Sequence, residues 1–293
     1  ETGAFARSRA VKDAVSLLRL ALAYCLGSMG LRLTAAWAEA AGLASLSNVA
    51  LLKRLRKMAP WLELVVARLI AAQAGESIRA LTGGRRIRLV DATVVAKASR
   101  VEREAGGLWR VHAVFDISDE GERFSAFELT DEKQGERLDR AEVVAGEIRI
   151  ADRAYLQPER MGRVLAAGAD VIIRAPWNGA RWLDAEGNGF NLIKALMDGK
   201  EAGAVDCPVW IGRDDGPPLA LRLVAVRKPP EKIKESVARL EAEAKRKGRK
   251  VGIDTLIAAG WVILVTSLDR QAFAATDIGA LYRLRWRIEI AFK

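Results

Sequence analysis

The sequence predicts an α/β protein: an all-helical N-terminal region, then a mixed β-sheet with flanking helices, interrupted by a β-rich insertion. Three observations carry this fold class. Residues 8–81 are long runs of Ala and Leu, with apolar positions three and four apart and no alternating segment, which is the period of a helix. From residue 85 the apolar period falls to two, the period of a strand. Beyond residue 131 strands alternate with helices until a turn-rich stretch at 177–229 breaks the pattern.

Within the helical region, residues 1–82, the segment Thr34 to Lys57 reads either as a helix-turn-helix or as a plain helical hairpin. Ala38 and Gly42 stand four apart at a helix end, and Ser45 or Ser47 caps the next helix. That helix is expected to turn Val49, Leu52 and Leu55 inward. Lys53, Arg54, Arg56 and Lys57 then form an outward basic face suited to DNA.

A core follows at 83–176. Its strands are expected at Arg86–Asp91, Trp109–Ile117 and Phe124–Thr130, with Asp119, Glu120 and Gly121 as the second turn. A polar segment, Asp131 to Asp139, leads to a helix, a strand at Glu147–Asp152, a helix at Gln157–Ala167 and a strand at Asp170–Arg174. The insertion, residues 177–259, is strand-like with turns such as Asp214-Asp215-Gly216-Pro217-Pro218, and it ends in a charged helix at 230–250. Residues 260–293 supply a strand at Trp261–Ser267 and a helix from Thr276.

Lys and Arg outnumber Asp and Glu by 47 to 37 in 293 residues, a formal charge of +10 that favours a polyanionic partner. Two cysteines, Cys25 and Cys207, make no disulfide framework and fit a reducing cytoplasm. The longest apolar stretch, around Leu20 to Leu31, is too short for a bilayer. The single histidine, His112, excludes histidine-cluster metal sites and fits a core or edge role. Any metal must therefore sit on carboxylates, which favours magnesium or manganese over zinc. The chain opens without methionine and stops inside a helical pattern, so it reads as a fragment.

The chemistry concentrates at three places. Asp91 and Asp152 end expected strands and can meet at neighbouring strand ends of one sheet. On the last helix Tyr282, Arg285, Glu289 and Lys293 share one stripe, because residues three and four apart are neighbours. One aspartate at a strand end is ordinarily a turn or cap residue. Three acids gathered with a phenol and a guanidinium suit two-metal phosphoryl transfer, and such a cluster requires a cation. Thr130, Asp131 and Glu136 lie in a polar stretch beside these acids.

The segments Leu89-Val90-Asp91-Ala92-Thr93, Ala151-Asp152-Arg153-Ala154-Tyr155 and Tyr282-Arg283-Leu284-Arg285-Trp286-Arg287-Ile288-Glu289 resemble the three catalytic blocks of bacterial DDE transposases of insertion-sequence family four. The resemblance spans nearly the whole chain and implies a ribonuclease-H-like core with the β-rich insertion before the last acid. It implies that Asp91, Asp152 and Glu289 bind two Mg2+ ions, with Mn2+ as substitute, and that Tyr282, Arg285 and Arg174 grip phosphate. Trp261 matches a tryptophan that stacks on an extruded base, and Trp286 a second aromatic beside it. The implied partners are double-stranded DNA, as transposon ends and target, and a second copy in a homodimeric synaptic complex; the implied place is the bacterial nucleoid. Two departures stand: Ala154 occupies a position often Gly, and the family's lysine seven residues past Glu289 falls three positions beyond Lys293. Two other classes fit the same residues: a structure-specific nuclease on the same fold, and a DNA-binding regulator without catalysis.

Overall fold

The computed structural model describes residues 10–27, 29–73, 81–96, 108–119 and 121–292. Lys293 of the expected stripe and Glu120 of the expected turn lie outside these residues. The chain divides into two compact units, residues 1–74 and 75–293.

The first unit is three helices, α1 (Ala14–Leu26), α2 (Leu31–Ala40) and α3 (Asn48–Gln73). Asp13 caps α1 by accepting from the Ser16 amide at 2.6 Å. Ser47 caps α3, its Oγ accepting from the Ala50 amide at 3.2 Å, which settles the choice between the two candidate serines. Leu17, Leu20, Ala38, Ala44 and Met58 form the buried centre, with Leu55 packed against it. The inward face of α3 is thus Leu51, Leu55 and Met58, at three and four spacing, and the expected inward Val49 is exposed. Val49 stands in the first turn, off the stripe that Leu51, Leu55 and Met58 share, and so meets solvent.

The second unit is built on one nine-stranded sheet, in the order β3-β2-β1-β4-β5-β9-β8-β7-β6. Strands β1 (Ile87–Ala96), β2 (Leu108–Ser118) and β3 (Gly121–Asp131) form the antiparallel meander expected from the alternating pattern. β4 (Ile148–Ala151) and β5 (Asp170–Arg174) add on in parallel, joined by a 3-10 turn (Arg153–Tyr155) and helix α4 (Pro158–Ala166). All four residues of β4 are buried, as a strand covered on both faces requires.

Three expectations change here. β1 runs on to Ala96, so Asp91 lies mid-strand rather than at its end. No helix forms between Asp139 and Glu147. The fully buried Arg149 instead donates to the carbonyls of Leu138 at 2.6 Å, Ala141 at 3.2 Å and Glu142, and pairs with Glu147. One guanidinium satisfies acceptors that a helix would have satisfied internally. Finally, the stretch at 177–229 makes no sheet of its own. Its strands β6 (Trp182–Leu183), β7 (Ala204–Ile211) and β8 (Leu219–Arg227), with helix α5 (Leu192–Asp198), continue the same sheet through β9 (Trp261–Thr266).

Between β8 and β9 lie α6 (Pro230–Arg246) and α7 (Ile253–Ala259). α6 begins with Pro230 and Glu231 and closes on Lys245 and Arg246, charges that suit the helix dipole at both ends. Ile233, Val237, Leu240 and Ala244 make its half-buried stripe, and the rest of the helix is charged or small apart from Pro230. After β9 come α8 (Ala275–Arg283) and α9 (Trp286–Ala291), where a single helix was expected. The join at Leu284 and Arg285 is tightened by amide bonds to carbonyls three residues back: Leu284 to Leu281, Arg285 to Tyr282 and Arg287 to Leu284, at 2.9–3.1 Å. α9 is anchored by the buried Ile288, by Arg287 paired with the buried Glu122 of β3, and by Phe292 against Phe124, ring centroids 5.9 Å apart.

Among the described residues no helix is long and apolar enough to cross a membrane.

Candidate active site

The parallel ladder between β1 and β4 ends at the pair Val90 and Ala151. The next residue on each strand is Asp91 and Asp152. Residues in parallel register point to the same side, so this ladder delivers two of the three expected acids to one place. Asp91 stays in the β1–β2 hairpin opposite Ala113, whereas Asp152 leaves the sheet and caps the 3-10 turn, accepting from the Ala154 amide at 2.8 Å. One Asp152 oxygen therefore has the bland capping role, and the other is not used by it.

The third acid arrives on α9. Arg285 Nη1 lies 2.5 Å from Glu289 Oε1 and 3.6 Å from Asp91 Oδ2, so one guanidinium ties the first and last motif blocks together. Its Cζ sits 5.8 Å from the centroid of the Tyr282 ring. The 3-10 tightening at the join supports this, because residues i and i+3 eclipse in such a turn. The Tyr282 hydroxyl and Arg285 Nε are buried without a hydrogen-bond partner of normal geometry.

Charge excess marks the site. Burial pushes the Asp91 carboxyl above its ordinary range, and the charges of Asp152 and Glu289 push it further. The Ala92 amide and Arg285 pull it back without cancelling the rise. Burial works against the charge on Arg285, but Tyr282, Glu289 and Asp91 outweigh it and the net shift is upward. Burial also raises the Tyr282 phenol, against the pull of Arg285 and Arg174.

A fourth carboxylate belongs to this field. Glu136 is raised by burial and by the charges of Asp152 and Asp91, and it is held by Arg110 at 2.6 Å. Its backbone carbonyl accepts from Gln157 Nε2 at 2.8 Å, which fastens the loop to the turn that follows Asp152. The buried Tyr155 hydroxyl, raised by burial, then by Glu136, Asp91 and Asp152, is also among these acids. Composition had flagged Glu136 only as part of a polar stretch; its link to Gln157, 21 residues away, has no signal in the local pattern.

The donor set fits a hard divalent ion, since it is oxygen only and Asp152 and Glu289 add to the cost of ionising the buried Asp91. Among the described residues, however, no three carboxylate, imidazole or thiol side chains close on one point at ligating range. Arg285, set against Asp91 and Glu289, supplies the counter-charge in this arrangement.

The other expected residues divide. Arg174, at the end of β5, and Trp286, 59% exposed, line a cavity of about 650 Å³ together with Tyr282 and Arg285. Trp261 does not: it is 5% exposed and packed in the core of the sheet. In the helical unit Lys53, Arg56 and Lys57 are exposed on α3, and Arg54 is half-buried. His112 is buried and shares a 2.9 Å hydrogen bond with Thr130, the core role expected of it.

Asp91 and Asp152 thus follow the last pair of one parallel ladder, with Arg285 between Asp91 and Glu289 and beside Tyr282, an arrangement of the kind that phosphoryl transfer needs. A family model described as the transposase DDE domain matches residues 82–293. Over 99% of its length the chain is 44% identical to the putative transposase InsL for insertion sequence element IS186A of Escherichia coli strain K12, covering 78% of that protein. It is equally similar, over the same shares, to the transposase for insertion sequence element IS421 of Escherichia coli. The chain belongs to the DDE transposase family, DNA-cleaving and strand-transferring enzymes that use divalent metal ions.

Proposed function

We propose that this transposase cuts DNA at the inverted-repeat ends of an insertion element and joins the freed ends to a target, with Asp91, Asp152 and Glu289 as its catalytic acids. The observation that carries the residue assignment is Arg285, whose guanidinium reaches both Asp91 and Glu289, while the β1–β4 register sets Asp152 beside Asp91. The run from an antiparallel meander into parallel β4 and β5 supports a ribonuclease-H-like core.

The three acids would hold the ions, two Mg2+ with Mn2+ as substitute. When bound, such ions activate the attacking oxygen as Lewis acids and stabilise the leaving one. The chain's own residues supply orientation and charge. Arg285 turns its free Nε edge to a phosphate oxygen, and a guanidinium suits that bidentate geometry. Tyr282, kept protonated by its buried setting, donates to the same group. Arg174 extends the phosphate path along β5, and the exposed Trp286 offers a flat face on which a base stacks. Lys53, Arg54, Arg56 and Lys57 hold the duplex backbone through charge, which sets position rather than sequence. Two copies pair the two ends in a synaptic complex.

Single substitutions of Asp91, Asp152 or Glu289 by Ala test the assignment. Each is expected to abolish strand cleavage in Mg2+ and in Mn2+ while DNA affinity stays near that of the parent. Cleavage that survives any one of them removes that residue from the catalytic set.

A further inference from the structure

The cavity of about 650 Å³ beside Tyr282 has two walls, and only one belongs to the motif blocks. The near wall is α8 and α9. The far wall is the first half of α6 and the residues leading into it, a segment outside the three catalytic blocks. We infer that this far wall is a strand-binding surface: Lys228, Lys232 and Arg239 hold backbone phosphates of the DNA strand whose reacting phosphate lies against Tyr282 and Arg285. The inference rests on the catalytic reading given above for those two residues.

Charge is the first ground. Six cations line the cavity, Arg174, Lys228, Lys232, Arg239, Arg283 and Arg285, against one carboxylate, Glu235. Glu235 pairs with Lys232 at 2.8 Å, but both side chains are more than 60% exposed. An ion pair so wet is weak, and a phosphate displaces it readily.

Helix geometry is the second. Lys232, Ser236 and Arg239 stand at i, i+4 and i+7, so they form one stripe along α6, next to the half-buried stripe that begins at Ile233. Side chains in such a row meet an extended polyanion at successive points. Lys228 anchors the start of the row. It donates to Ser236 Oγ at 3.1 Å and to the Ala259 carbonyl at 2.8 Å, so its ammonium is fixed in the wall. Burial, with Arg174 and Arg239 nearby, lowers its affinity for its proton. A cation held among cations gains most from an arriving anion.

The floor is the third. Val226, Val262 and Leu264 give the cavity an apolar base, and the exposed Trp286 closes one side. Phosphate oxygens therefore have cations to meet on both walls, and sugar or base has an apolar surface between them. The buried Tyr282 hydroxyl and Arg285 Nε mark the end of the groove nearest the acids.

The test uses the whole chain and a fluorescent duplex of arbitrary sequence with a single-stranded tail, because the phosphate contribution to binding does not depend on sequence. Affinity is measured at several salt concentrations for the parent, for a K232A/R239A pair and for a K234A/K245A pair. All four side chains are exposed on α6, and neither Lys234 nor Lys245 lines the cavity. Loss of two phosphate contacts is expected to reduce the slope of log affinity against log salt by about 1.4–1.8 in the first pair, and the second pair is expected to keep the parental slope. An unchanged slope in the first pair, or an equal fall in both, overturns the assignment of the far wall. Failure of the catalytic reading shows separately, as an R285A protein that still cleaves DNA at the parental rate.

Discussion

Replacing Arg285 with Ala removes a cation that the structure places against both Asp91 and Glu289. The side chains concerned are 11%, 15% and 27% exposed, so the interaction falls between two limits. Breaking a fully buried pair costs about 3–5 kcal/mol, and an exposed pair contributes about 0–1 kcal/mol. An intermediate loss of about 1–3 kcal/mol is expected at neutral pH. For a unit of this size that is roughly 2–12 °C in melting temperature. The loss must also depend on pH. Asp91 already ionises above the ordinary carboxylate range, and Arg285 is one of the groups holding the rise in check. Without it the folded protein retains a proton that the unfolded chain has released, and stability then falls as pH rises through that window. The deficit of the variant is therefore expected to be small near pH ~4 and to grow toward pH ~8, around and above the usual carboxylate values. Added Mn2+ is expected to restore more stability to the variant than to the parent, because the ion replaces the missing counter-charge. The assay is thermal denaturation followed by circular dichroism across that pH range, with chelator and then with Mn2+. A deficit of constant size at every pH would refute the reasoning, since it would mean lost side-chain packing rather than lost charge.

Two further outcomes follow from burial. Trp261→Ala is expected to cost about 3–5 kcal/mol, the range for removing a buried large side chain, while Trp286→Ala changes stability by less than about 0.5 kcal/mol yet weakens binding of tailed DNA; melting curves and anisotropy titrations of the two variants separate these effects. Arg149→Met is expected to cost about 3–5 kcal/mol by stranding the loop carbonyls and leaving the buried Glu147 with Arg88 alone, and a chemical denaturation curve superimposable on the parent's would contradict that.

The meander, the parallel strands and the helical N-terminal unit were legible because each has a period of its own, and β5 begins and ends where the pattern places it. The three acids were legible as residues but only partly as geometry. Asp91 was expected at a strand end, and it does follow directly on the last β1–β4 pair, Val90 and Ala151; β1 nonetheless continues to Ala96 because β2 still pairs with it. The loop at 132–147 was read as partly helical because its shape depends on Arg149, which enters from a later strand. The same blindness hid Glu136, whose neighbours Arg110 and Gln157 are 26 and 21 residues away. It also hid the role of residues 177–229. Alternation says that a segment is a strand but not which strand it will lie beside.

That last point bears on how the protein is made. β9 lies between β5 and β8 in the sheet, although it is ninth in the chain. Until it emerges from the ribosome, the sheet is two separate leaves, β3-β2-β1-β4-β5 and β8-β7-β6, each with a bare border of unpaired amides and carbonyls, short on β5 and longer on β8. Translation must run at least to Thr266 before the leaves are stitched, and past Glu289 before the acids are complete. A stalled or prematurely terminated product therefore carries two sticky borders and no finished active site. Synthesis itself thus delays any DNA cutting until translation has passed the proposed third acid, Glu289.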